Sequence, residues 1–126
     1  MRGTEYIIRV LKEEIPELTF KTEYDAAVLN VGAKPMCFVY EAQAEYSEGC
    51  VIRKIHFDFL CGTKRKNIIP EYMARIIEVI EKEEFSVLSL TRGQSAGNFR
   101  VTLIPCTLEI KELTGDCPCE HGEVYL

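Results

Sequence analysis

Residues 36–82 read MCFVYEAQAEYSEGCVIRKIHFDFLCGTKRKNIIPEYMARIIEVIEK, and this stretch decides the fold. Met36, Phe38, Tyr40, Ala42, Ala44 and Tyr46 fall on one side of an extended chain; Cys37, Val39, Glu41, Gln43 and Glu45 fall on the other. A period of two is the mark of a half-buried strand. Ser47-Glu48-Gly49 follows as a turn, with Gly free to take positive φ. The period of two then resumes. Val51, Ile55, Phe57, Phe59 and Cys61 share one face, and Lys54, His56 and Asp58 share the other. Residues 62–67 form a loop, and Pro70 suits the first turn of a helix, where its missing N–H costs nothing. Ile69, Tyr72, Met73, Ile76, Ile77 and Ile80 recur at helical spacing, with Arg75, Glu78, Glu81 and Lys82 opposite. The reading is strand, tight turn, strand, then a helix folded back over the sheet.

Upstream, Thr4 reads as an N-cap, and Ile7, Ile8, Leu11 and Ile15 mark one face of a helix over about residues 4–14. Pro16 ends it, because the residue before proline disfavours the helical region. Leu18 to Tyr24 alternates as a short strand. Asp25-Ala26-Ala27 reads as a turn, Val28 to Val31 as a second short strand or an extended link, and Gly32 and Pro35 punctuate the approach to the hairpin. Downstream, Phe85 to Thr91 is a strand and 93–97 a polar turn. Asn98 to Leu113 is a long strand, with Phe99, Val101 and Leu103 on one side and Thr102, Ile104, Cys106, Leu108 and Ile110 on the other. Pro105 cannot donate to a ladder and marks an edge, a bulge or a bend at which the sides swap. Residues 114–126 show no periodicity and read as a loosely ordered tail after a single domain over 1–113. The expected fold is α+β: a two-layer domain, a mostly antiparallel sheet with two helices on one face.

The totals bound the function. A chain of 126 residues, 47% hydrophobic and 28% charged, supports one modest core. A formal charge of −5, from 15 Lys+Arg against 20 Asp+Glu, argues against a general nucleic-acid binder. Lys64-Arg65-Lys66 is the one dense basic run and reads as a solvated loop. The N-terminus alternates apolar and charged residues rather than forming a secretory core, and no run reaches the roughly 18 apolar residues of a membrane span. A cytoplasmic protein without membrane partners is expected. Cys37, Cys50, Cys61 and Cys106 lie inside strands and are read as small apolar residues in a reducing compartment.

Several constellations invite chemistry. Cys117, Cys119 and His121 offer two thiolates and an imidazole to zinc, but the Cys pair is narrower than in usual structural sites and lacks a fourth ligand. His56 and Asp58 share a strand face with Lys54, as an acid–base pair or as a polar face meeting solvent or a neighbouring subunit; no nucleophile accompanies them. Gly93, Ser95 and Gly97 match neither phosphate-loop spacing and read as a hairpin tip. Nothing near Cys61 activates it as a nucleophile. Glu41, Gln43 and Glu45 form an acidic strand face that is solvated or meets a neighbour's Arg53 or Arg100. No catalytic, cofactor-binding or metal residue is therefore assigned, and a non-enzymatic role is expected.

The layout resembles the tail-terminator proteins of long-tailed bacteriophages and of related prophage-derived contractile particles. The resemblance covers about residues 4–112 and rests on an opening helix ending in IPELTF (15–20), PMCFVYE (35–41) and IRKIHFDF (52–59). PEYMARIIEVI (70–80) and VTLIPCTLEI (101–110) complete it. The family has no catalytic motif to carry over, and it does not account for the C-x-C-x-H tail. The resemblance implies a small α+β domain that closes into a ring with its own copies, commonly a hexamer. Such a ring sits on the last ring of tail-tube protein, stops tube growth and offers a surface to the head connector. It would assemble in the cytoplasm of the bacterial host and end in the virion tail. The alternatives are a neck or head-completion joining protein, or a small metal-binding or ligand-binding module.

Overall fold

The structure, a computed structural model, describes residues 2–23 and 35–114. Helix α1 spans Gly3–Glu14 and helix α2 spans Ile69–Lys82. The strands are β1 (Thr19–Lys21), β2 (Met36–Ser47), β3 (Cys50–Gly62), β4 (Ser86–Arg92), β5 (Ala96–Gly97) and β6 (Val101–Leu113). They form one sheet in the order β1-β2-β3-β6-β4, with β5 also paired to β6. Every pairing is antiparallel except β1 with β2. Both helices pack on one face, giving the α+β two-layer domain that the sequence implies.

The core forms where the periods of helix and strand meet. Ile7, Ile8, Leu11 and Ile15 of the first helical segment and Ile69, Met73, Ile76 and Ile80 of α2 are buried against Cys37, Val39, Ile55, Phe57, Phe59 and Cys61. Tyr72 and Ile77 flank this cluster half-buried. In β6 the alternation is complete: Thr102, Ile104, Cys106, Leu108, Ile110 and Glu112 are all buried. Residues 47–50 close the β2–β3 hairpin, with Ser47 paired to Cys50 and Gly49 at φ +83°. That left-handed value is what the turn required of a glycine.

The structure corrects four expectations. The faces of β2 do not persist along its length. A bulge between Glu41 and Gln43 resets the register, so Ala44 and Tyr46 join Cys37 and Val39 on the helix-covered side. Pro105 causes no swap of faces. It sits in a central strand, paired with Asp58 of β3, and β6 keeps its alternation through it. Its carbonyl accepts the Gly93 N–H at 2.8 Å, so its missing donor falls where β4 has ended and β5 has not begun. Thr4 is not the cap of α1. The Glu112 carboxylate of β6 takes that place, accepting the Arg2 N–H at 2.6 Å and the Gly3 N–H at 3.4 Å. Thr4 instead donates its hydroxyl to Glu41 at 2.7 Å. Finally, the loop at 62–67 is a 3₁₀ turn over Thr63–Ile68 that runs directly into α2. The expected turn at 25–27, the strand or link at 28–31 and the tail beyond Thr114 lie outside the described residues.

Candidate functional site

The polar residues singled out in the sequence go to three places. His56 and Asp58 do share a face with Lys54, on the side of the sheet away from the helices. Each is held by a different hydroxyl. Tyr40 donates to Asp58 at 3.0 Å, and Thr107 lies 2.9 Å from His56 Nδ1. The Tyr40 ring also lies against the imidazole, with centroids 4.9 Å apart. Partial burial raises the Tyr40 phenol above its ordinary value, and its bond to the Asp58 carboxylate raises it further. The cluster is a hydrogen-bonded sheet surface, with both candidate residues occupied by structural partners.

Arg53 lies on the opposite face, among the core residues, and is only 3% exposed. Its Nη1 is 2.5 Å from Glu112 Oε1, and its Nε is 3.2 Å from Glu41 Oε1. It is therefore engaged within its own chain rather than offered to a neighbour, and Glu41 reaches it because the regular alternation from Cys37 and Val39 keeps Glu41 on the same face. Glu112, 2% exposed, completes the group. Burial alone would raise its carboxyl, but the Arg2 N–H, the Arg53 guanidinium and the Gly3 N–H outweigh burial and hold it below the ordinary carboxylate value. Arg2 adds a guanidinium 3.8 Å from the same carboxylate. This cluster anchors the start of α1 to the sheet.

The exposed surfaces are the outer strand and the tips. Among the described residues β4 pairs only with β6, and its other side is open. Leu88 and Leu90 on this strand are 48% and 47% exposed. Beside it, Ile69, Pro70, Met73, Ile77, Leu90 and Cys106 line an apolar cleft of about 260 Å³ between α2 and the sheet. At the Gly62 end of β3, the 3₁₀ turn lies against the turn that opens β6. Thr63 N–H donates to the Arg100 carbonyl at 3.0 Å, and its hydroxyl donates to the Asn98 carbonyl at 2.6 Å. Asn98 Oδ1 in turn accepts the Arg100 and Val101 N–H groups at 2.8 and 2.9 Å. The expected loop at 62–67 is thus tied to residues 98–100, which were expected to open the long strand but form a turn before β6 begins at Val101. Residues 93–97 include β5, whose Gly97 sits at φ +148°, where an added Cβ would meet the Val101 carbonyl oxygen at 2.2 Å.

Sequence reasoning missed Thr63, Asn98, Glu112 and the internal use of Arg53. Asn98 before an alternating run carried a signal, since Asn caps turns by bonding its own backbone. Among the described residues no group of three or more His, Cys, Asp or Glu is placed to hold a metal ion. Cys117, Cys119 and His121 lie outside the described residues. No described helix is long and apolar enough to cross a membrane. No family model matches the chain, and no curated protein matches it significantly.

Proposed function

We propose that this chain is a structural subunit of a bacteriophage-type tail. It closes with its own copies into a ring, commonly a hexamer, on the last ring of tail-tube protein. The ring stops tube growth and presents the head-joining surface. Assembly takes place in the cytoplasm of the bacterial host, and the ring ends in the virion tail. The reading rests on the resemblance of the layout to tail-terminator proteins and is carried by one observation, the outer strand β4, whose second edge is unpaired among the described residues. Soluble domains usually blunt such an edge with charge, proline, bulges or a covering element. Here the strand is seven residues long with one irregularity, between Val87 and Ser89, holds a single charged residue, Arg92, and exposes Leu88 and Leu90 beside an apolar cleft. A head-to-tail ring needs two different complementary surfaces on each subunit. Among the described residues the second is available on β2, where β1 pairs only with Met36–Phe38 and the residues beyond are mostly exposed.

The test mixes purified protein with tail tubes from the same genome and images them by electron microscopy. Ring density at one tube end, with tube length fixed on addition, is the expected result. Binding to heads or connectors alone would move the assignment to a neck or head-completion protein. Binding to neither would overturn both.

A further inference from the structure

Residues 59–70 and 85–108 contain no Asp or Glu, yet they hold Lys64, Arg65, Lys66, Arg92 and Arg100. The chain as a whole carries −5, so the remainder is more acidic than the total suggests. The fold brings most of these cations to one end of the sheet, since Gly62 pairs with Val101 and the 3₁₀ turn packs on the turn at 98–101. Lys64, Arg65, Lys66 and Arg100 are all exposed there. On the same turn as Arg100 stands Phe99, 79% exposed, more than any other large apolar side chain in the described residues. The Arg100 guanidinium lies 5.7 Å from the centre of its ring.

This end is held in shape despite its exposure. Asn98 clamps the backbone of residues 98–101, and Thr63 ties that turn to the basic one through its N–H and its hydroxyl. The Thr63 hydroxyl also lies 2.7 Å from that of Thr102 on β6. A preorganised surface loses less entropy on binding than a mobile loop does. Aromatic residues and Arg are the groups that most often anchor protein interfaces. Nucleic acid fits less well. The acidic remainder of the chain repels a polyanion, and a single aromatic side chain does not make the series of stacking platforms a strand needs.

We propose that the end bearing Lys64, Arg65, Lys66, Arg100 and Phe99 docks on an acidic protein surface, with Phe99 as its apolar anchor. In the assembly proposed above, which that placement presupposes, this is the end that seats on a neighbouring ring of the tail.

Two measurements test it together: retention on immobilised poly-L-glutamate, and co-sedimentation with tail tubes from the same genome. The variant K64E/K66E is compared with K12E/K82E, which makes the same charge change on exposed helical positions. Wild type and K12E/K82E should be retained on poly-L-glutamate. K64E/K66E should lose at least about tenfold in apparent affinity for both poly-L-glutamate and tubes. Phe99→Ala should weaken tube binding while leaving poly-L-glutamate retention nearly intact. Equal loss in the two charge variants would overturn the proposal, as would tube binding indifferent to K64E/K66E and F99A; in the latter case the tail-terminator reading would survive. Tighter binding to a 30-nucleotide oligo-dT than to poly-L-glutamate would overturn it in favour of nucleic acid. Patch-dependent retention on poly-L-glutamate without tube binding would leave the docking surface standing and remove the tail-tube reading.

Discussion

Glu112 bonds to the first N–H groups of α1 and to the buried guanidinium of Arg53, and its carboxyl is held below the ordinary value of about 4.5. The unfolded chain therefore binds a proton there at a pH where the folded chain does not. The stabilisation this supplies is present above about pH 4.5 and is lost as pH falls below it. Urea unfolding at pH 6, 4.5 and 3 should show stability falling with acid in the wild type and a flatter profile in Glu112→Gln. At pH 6 the variant should cost about 3 kcal/mol, because it removes the buried carboxylate of the group and leaves the Arg53 guanidinium only the more exposed Glu41. A parallel pH profile in the two proteins would show that Glu112 does not carry the dependence. None of this was legible from residue types. In the sequence Arg53 looked available to a neighbouring subunit, and Glu112 was one more charged residue at a strand end. Their meeting depends on the β3–β6 register, which opposes Val51 to Glu112, and on α1 arriving from more than a hundred residues away.

At the scale of elements, legibility followed the strength of the period. Helix α2 was readable because its apolar residues repeat over three turns and its start is fixed by Pro70. The hairpin was readable because Gly49 stands between two alternating runs. The bulge after Glu41 was not, since Ala42, Gln43 and Ala44 are too small or too polar to declare a face. Pro105 misled for a different reason. Its cost depends on whether a partner needs the missing N–H, and only the gap between β4 and β5 shows that none does. Two variants test these elements. Ile76, fully buried at the centre of α2, should not tolerate a charge. Ile76→Asp should cost more than about 4 kcal/mol and abolish the cooperative unfolding transition, whereas a folded, soluble variant would refute the packing. Gly97→Ala should cost about 1–3 kcal/mol, because the new methyl meets the Val101 carbonyl and the backbone angle is strained. Its loss should appear first as faster hydrogen exchange in residues 96–101, with α2 still protected.

For the whole molecule, the sequence disclosed a two-layer domain but not which edges it leaves open. That property comes from strand order, and strand order is set by long-range pairing. Placing β6 between β3 and β4 makes β4 the outer strand. The direction of its free N–H groups then follows from the ladder. The Pro105 carbonyl points toward β4 and β5, since it accepts from Gly93. Thr107, Glu109 and Lys111, at the same parity, point the same way, so their partners Thr91, Ser89 and Ser86 bond inward. Leu90, opposite Leu108, therefore aims its N–H outward. A proline at 90 leaves the β4–β6 ladder intact and removes a donor that no described strand uses, one available to a neighbouring chain. Leu90 is nearly half exposed, so Leu90→Pro should stay folded at a cost of about 1–2 kcal/mol. If rings close by strand addition at β4, this variant should remain monomeric at concentrations where the wild type caps tubes, and tube length should no longer be fixed. Capping by Leu90→Pro at the wild-type level would remove β4 from the ring contact. The subunit interface would then have to be sought on the polar sheet face around Tyr40 and His56.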